Sequence, residues 1–147
     1  MVLKESAEYI ISKLKEKPLV CIIAGSGLGT LSSGIESQVV IDYSDIPNFP
    51  VSTVEGHAGK LICGKLGNKT VLLMQGRFHY YEGYNMQQVV FPIRVMKILG
   101  VKYLFVSNAA GSLNPEFKIG DLMIIKDHIN FFPENPLRGK NIDKFGP

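Results

Sequence analysis

The segment Gly76-Arg77-Phe78-His79-Tyr80-Tyr81-Glu82-Gly83-Tyr84 sets a guanidinium, an imidazole and a phenol at alternate positions. In extended backbone Arg77, His79 and Tyr81 would project from one face and line one wall. A guanidinium fork suits a phosphate in two-point contact, and a histidine beside it adds a donor. The same stretch also reads as a solvated loop with aromatic rings packed beneath it. A second candidate is Gly25-Ser26-Gly27-Leu28-Gly29, directly after the apolar run Leu19–Ala24. Glycines let backbone N–H groups turn toward an anion, and the Ser26 hydroxyl adds a donor. A plain strand-to-helix turn explains it equally well. In Asn108-Ala109-Ala110-Gly111-Ser112-Leu113-Asn114-Pro115, small residues would admit a ligand close to the backbone, or simply form a turn before Pro115. In Glu55-Gly56-His57-Ala58-Gly59 a histidine sits between glycines, as a mobile ligand contact or as part of a surface loop.

Several chemistries fail on spacing. A dinucleotide fingerprint needs glycine where Thr30 stands, counting from Gly25, or where Ser32 stands, counting from Gly27. A nucleotide-binding domain of that type therefore rests on the first loop alone, although Asp42 lies at a tempting distance. No Gly-Lys-Ser/Thr triplet follows for a P-loop, and no Gly-x-Ser-x-Gly elbow occurs. His57, His79 and His128 lack metal-ligand spacing to one another, to cysteine or to carboxylate, so no metal site is expected.

The elements that must position these groups follow from periodicity. Residues 4–16 read as an amphipathic helix on Ala7, Ile10, Ile11 and Leu14, closed by Pro18. Leu19–Ala24 reads as a strand buried on both faces, and Gln38–Asp42 as another. The two prolines of Asp45–Pro50 require irregular backbone. Leu61–Leu66 and Lys69–Gln75 flank Gly67-Asn68, a two-residue hairpin signal. Asn85 and Gln88 predict a capping box opening a helix that Gly100 ends, with Pro92 kinking it or delaying its start. Lys102–Ser107 reads as a further buried strand, so Leu104→Asp is expected to unfold the domain. Asp121–Ile125 reads as a strand as well. The last 22 residues carry three prolines and no clear period.

Strands alternating with helices, with one tight hairpin, predict an α/β fold: a central mixed sheet flanked by helices. The polar loops follow the C-terminal ends of buried strands, where ligands bind in open α/β sheets. Hydrophobic residues at 46% exclude disorder as the main state. A net charge of +3, scattered along the chain, is too weak to predict nucleic-acid binding. No apolar run approaches the roughly 18 residues of a membrane span, and the charged N-terminus does not read as a secretory signal. Cys21 and Cys63, each inside an apolar run, read as reduced buried thiols of a cytoplasmic protein.

In order and spacing, these segments resemble the purine nucleoside phosphorylases of the trimeric class. The stretches that carry the resemblance are Gly25–Gly29, Ile46–Pro50, Gly56–Gly59, Gln75–His79, Tyr81–Tyr84, Asn108–Gly111, Gly120–Ile124 and Asp127–Asn130. The resemblance implies phosphorolysis of purine (deoxy)ribonucleosides, such as inosine and guanosine, to free base and pentose 1-phosphate. It implies inorganic phosphate as co-substrate, no cofactor and a homotrimer. Phosphate would be held by Ser26, Arg77, His79 and the backbone at Ala109, with His57 beside it as a gate. Tyr81 would pack the ribose, and Asn108 would belong to the same strand-end loop. The implied architecture is the three-layer phosphorylase/hydrolase type. Residues 1–147 would form one nucleoside-phosphorylase domain in its N-terminal portion, without the C-terminal half that holds the purine. Little activity is expected of such a chain alone. The alternative is a truncated paralogue that serves as a phosphate-binding or assembly module without turnover.

Overall fold

The computed structural model describes residues 2–25, 27–51 and 59–146. Its elements are α1 (Val2–Lys13), β1 (Val20–Ala24), β2 (Glu36–Asp42), β3 (Lys60–Leu66), β4 (Lys69–Gln75), α2 (Met86–Leu99) and β5 (Tyr103–Val106). Short 3-10 segments occupy Gly29–Gly34, Tyr43–Asp45, Tyr80–Glu82 and Asp143–Phe145. The strands form one mixed sheet in the order β2-β3-β4-β1-β5. β1 is parallel to both β4 and β5, while β2–β3 and β3–β4 are antiparallel.

The alternation of the central strands builds two cores. Cys21 and Ile23 of β1, Leu72 and Met74 of β4, and Leu61 and Cys63 of β3 face α1 and α2, against Ala7, Ile10, Val95, Met96 and Leu99. Ala24, Ile62, Val71 and Leu73 point to the opposite face, where Leu31 of the 3-10 segment and Ile35 just after it cover them. A sheet buried on both faces reads as continuous apolar runs, as β1 and β4 do. Both cysteines are free and buried. Burial alone pushes the Cys21 thiol up to about 12.

The hairpin closes through Gly67 at φ +58°, as the Gly67-Asn68 signal predicts. The box that opens α2 is complete. The Asn85 side chain accepts from the Gln88 amide at 3.0 Å, and the Gln88 side chain accepts from the Asn85 amide at 3.0 Å. Gly100 ends α2 in the left-handed region at φ +90°. α2 starts at Met86 and carries the buried Pro92 inside it, so the proline does not delay its start.

Three expectations are corrected. α1 ends at Lys13, short of residue 16, because its last turn tightens through a Leu14 N–H to Ile11 bond. Glu16 instead accepts from the Lys65 ammonium and from Thr70. β5 is a strand but not a buried one: among the described residues it pairs only with β1, and Leu104 is 42% and Phe105 62% exposed. Leu104→Asp therefore buries no charge and is not expected to unfold the chain. Asp121–Ile125 forms no strand. Lys118–Asp121 closes as a turn, in which the Lys118 amide donates to the Asp121 carboxylate at 2.8 Å. Strand propensity is realised only against a pairing neighbour, which β5 has in β1 and Asp121–Ile125 lacks among the described residues, and Leu122 and Ile124 stand almost fully exposed.

Candidate anion-binding site

The topology puts the candidate segments on one edge. β4, β1 and β5 are adjacent and parallel, so their C-terminal ends lie side by side. β4 runs into Gly76-Arg77, β1 into Gly25, and β5 into Ser107-Asn108-Ala109. Parallel strands leave their C-terminal loops on a common rim, where ligands gather in α/β folds.

Beneath this rim lies an aromatic bed. Tyr43 packs on Phe49 and Phe78 at 5.2 and 5.4 Å between ring centroids, and Phe78 packs on Tyr84 at 5.4 Å. The Tyr43 hydroxyl donates to the Gly76 carbonyl at 2.8 Å. Burial, with a smaller effect of Cys21, holds that hydroxyl in its protonated form. Gly76 itself sits at φ +101°, a conformation that favours glycine. Phe78 is buried, so Arg77 and His79 are turned the other way, as the alternation predicts.

The polar groups above the bed touch one another. The Arg77 Nε–H donates to His79 Nε2 at 3.0 Å, and an Nη1–H donates to the Ser107 carbonyl at 2.8 Å. His79 Nδ1 meets the Glu82 carboxylate. With Nε2 accepting, Nδ1 carries the proton and donates it, which defines one tautomer. Tyr81 stacks on His79 at 4.8 Å and 23° while its own side is open to solvent. Across the rim the Gly25 amide donates to Ser107 Oγ at 2.9 Å. A Cβ on Gly25 would lie 2.5 Å from the Ser107 carbonyl oxygen, so this position accepts no side chain. Two of the guanidinium's donors are thus spent on the protein, and among the described residues the others have no partner, which leaves them able to face an anion over the rim.

The phosphorylase superfamily model matches residues 19–147. The chain belongs to the phosphorylase superfamily. Its relatives include purine nucleoside phosphorylase 1 of Bacillus subtilis, 57% identical over 98% of this chain and 53% of that protein. Purine nucleoside phosphorylase of Rattus norvegicus is 51% identical over 97% of this chain and 50% of that protein. The chain thus spans about half the length of the curated relatives it matches. Among solved structures, a purine nucleoside phosphorylase in complex with ribose-1-phosphate superposes with a TM-score of 0.77 at 53% identity, covering 81% of this chain and 44% of that one. Isoform 2 of purine nucleoside phosphorylase from Schistosoma mansoni, in complex with cytosine and ribose-1-phosphate, gives a TM-score of 0.91 at 48% identity over 99% of this chain and 52% of that one.

Within this phosphorylase fold the structure brings together Arg77, His79 and Tyr81 directly, and joins Arg77 to the loop that carries Asn108 and Ala109. Asn108 and Ala109 are exposed, and the Asn108 amide donates to the Ala109 carbonyl at 3.1 Å. Ser26 and His57 lie outside the described residues. Sequence reasoning missed Glu82 and Ser107. Strand alternation turns Glu82 away from His79, but the 3-10 segment Tyr80–Glu82 brings it back at a spacing of three. A carboxylate three residues from a histidine, just before Gly83, was the available signal. Ser107 gave no signal in the sequence, because its role depends on the β5–β1 register. Among the described residues, no group of three His, Cys, Asp or Glu side chains could hold a metal, and no helix is long and apolar enough to cross a membrane.

Proposed function

We propose that this chain forms the phosphate-holding part of a purine nucleoside phosphorylase site. Arg77 and His79, with Ser26, His57 and the Ala109 backbone, hold inorganic phosphate; both ring nitrogens of His79 are engaged, by Arg77 and Glu82, so His79 serves the anion by exchanging its Arg77 contact for it with a proton on Nε2. Tyr81 and Asn108 face the sugar. The phosphate attacks the anomeric carbon of a purine nucleoside such as inosine or guanosine, the glycosidic bond breaks, and the products are free base and pentose 1-phosphate. The sugar gains positive charge as that bond breaks, and an anion fixed beneath it stabilises this charge while serving as nucleophile. Such a reaction asks the protein to position and desolvate a dianion. It needs no covalent enzyme intermediate. A homotrimer in the cytoplasm completes the proposal.

The observation that carries it is the contact of Arg77 with both His79 and Ser107 at the joined ends of β4, β1 and β5. The relatives' names and the ribose-1-phosphate complexes support the substrate class. Titrating inorganic phosphate into the chain calorimetrically tests the holding step: saturable binding that weakens in Arg77→Ala is expected, and equal binding by both proteins would refute it. Hypoxanthine release from inosine and phosphate tests turnover. Little is expected from this chain alone, because it matches only about half of its relatives.

A further inference from the structure

We infer that Ser107 is a positioning residue that locks the glycine turn after β1 and the Arg77 guanidinium into one frame. The inference rests on the phosphate site proposed above for what that frame is for, and on geometry alone for the frame itself. Ser107 follows β5 directly and uses every polar atom it has. Its N–H donates to the Ile23 carbonyl at 3.1 Å, and its hydroxyl donates to the same carbonyl at 3.2 Å. Its Oγ accepts the Gly25 N–H at 2.9 Å, and its carbonyl accepts the Arg77 Nη1–H at 2.8 Å. One residue therefore ties the end of β1 to the segment after β4, although β1 lies between β4 and β5 in the sheet.

Two consequences follow for an anion at the rim. The Gly25 N–H is consumed by Ser107 Oγ and the Leu28 N–H by the Gly25 carbonyl, so neither is a donor for the anion. The Gly25 turn can also approach no closer, since Ser107 backbone already fills the place of a Gly25 Cβ. Meanwhile the guanidinium is held at two points, Nε on His79 and Nη1 on Ser107, which fixes its plane and the direction of its other donors. Rigid placement of donors is what lets a site bind an anion without reorganising. Threonine could present the same hydroxyl. Alanine and the threonine isostere valine could not.

The test compares Ser107→Ala, Ser107→Val and Ser107→Thr in the 147-residue chain. The first readout needs no ligand: amide hydrogen exchange at Gly25, with the Leu72 amide in the central strand as reference. Exchange at Gly25 is expected to speed up in the alanine and valine variants and return to the wild-type rate in threonine, while Leu72 stays unchanged. The second readout is affinity for inorganic phosphate, expected to fall about 2–10-fold with loss of the hydroxyl and to recover with threonine. Unchanged Gly25 exchange in Ser107→Ala would overturn the inference, as would a threonine variant that behaves like alanine. Absence of phosphate binding by the wild-type chain would instead overturn the proposed function, and the exchange experiment would still decide the frame.

Discussion

Leu72 and Leu122 are both leucines within short apolar runs, yet Leu72 is fully buried and Leu122 is 99% exposed. The contrast extends to the regions around them. From α1 to α2 the central strands β1, β3 and β4 alternate between two cores, and their apolar side chains meet the helices on one face and the Leu31 and Ile35 side chains on the other. From β5 onward the apolar side chains meet little. Phe105, Val106, Leu113, Ile119, Ile124 and Ile129 are all exposed, and among its described residues the segment after β5 contains no α-helix or strand, with the 3-10 segment Asp143–Phe145 as its one helical turn. It is tethered instead by scattered contacts. The Gln87 amide and the Arg94 guanidinium donate to the Pro136 carbonyl, Tyr80 packs on Phe132, and Arg94 lies over Phe145. An apolar run joins a core only where a second surface completes its burial; β5 forms a strand by pairing with β1 yet stays exposed.

That contrast can be broken by substitution. Leu72→Ala removes a fully packed side chain and should cost about 2–5 kcal/mol in chemical denaturation. Leu122→Ala should stay within about 0.5 kcal/mol of wild type. Leu104→Asp should behave like the second variant. If it unfolds the chain, β5 is buried after all and the division fails. Arg77→Ala strikes the seam between the regions, because Arg77 reaches Ser107 from the β4 side. It should weaken phosphate binding by about 1.5–3 kcal/mol, the worth of a charge-assisted contact, as read by calorimetry. Asn85→Ala should cost about 1 kcal/mol in thermal unfolding by uncapping α2, the helix to which the tail is tethered.

Cys21 sharpens the comparison through pH. Its thiol is raised to about 12 by burial, so the folded state favours the protonated form. The associated stability is fully present below the unfolded thiol's value of about 8.5 and is lost as pH rises toward the folded value. Alkylation of Cys21 at neutral pH should therefore follow unfolding of the β1–β4 region, and rapid labelling of the native chain would show that this region opens as easily as the tail.

Much of the packed region was legible because its signals are local. The Gly67-Asn68 turn, the Asn85/Gln88 box and the alternation of Arg77 and His79 about Phe78 need only near neighbours. The exposure of β5 was not legible. Lys102–Ser107 has the composition of a central strand, and only the pairing shows it at an edge. Asp121–Ile125 misled for the same reason. At the site, Arg77, His79 and Tyr81 could be read from spacing and resemblance. Glu82 was hidden by a change from extended to 3-10 backbone at Tyr80, and Ser107 by a contact across more than eighty residues. Ser26 and His57 fall outside the described residues, so their places in the site remain part of the proposal.

The central claim is that three neighbouring parallel strand ends form one anion site. Mapping backbone amide shifts while inorganic phosphate is added tests it most directly. Saturable shifts confined to Gly25–Gly29, Gly76–Glu82 and Ser107–Gly111, and absent in Arg77→Ala, are the predicted result. Shifts at only one of these strand ends, or spread over surface lysines and unaffected by Arg77→Ala, would contradict it.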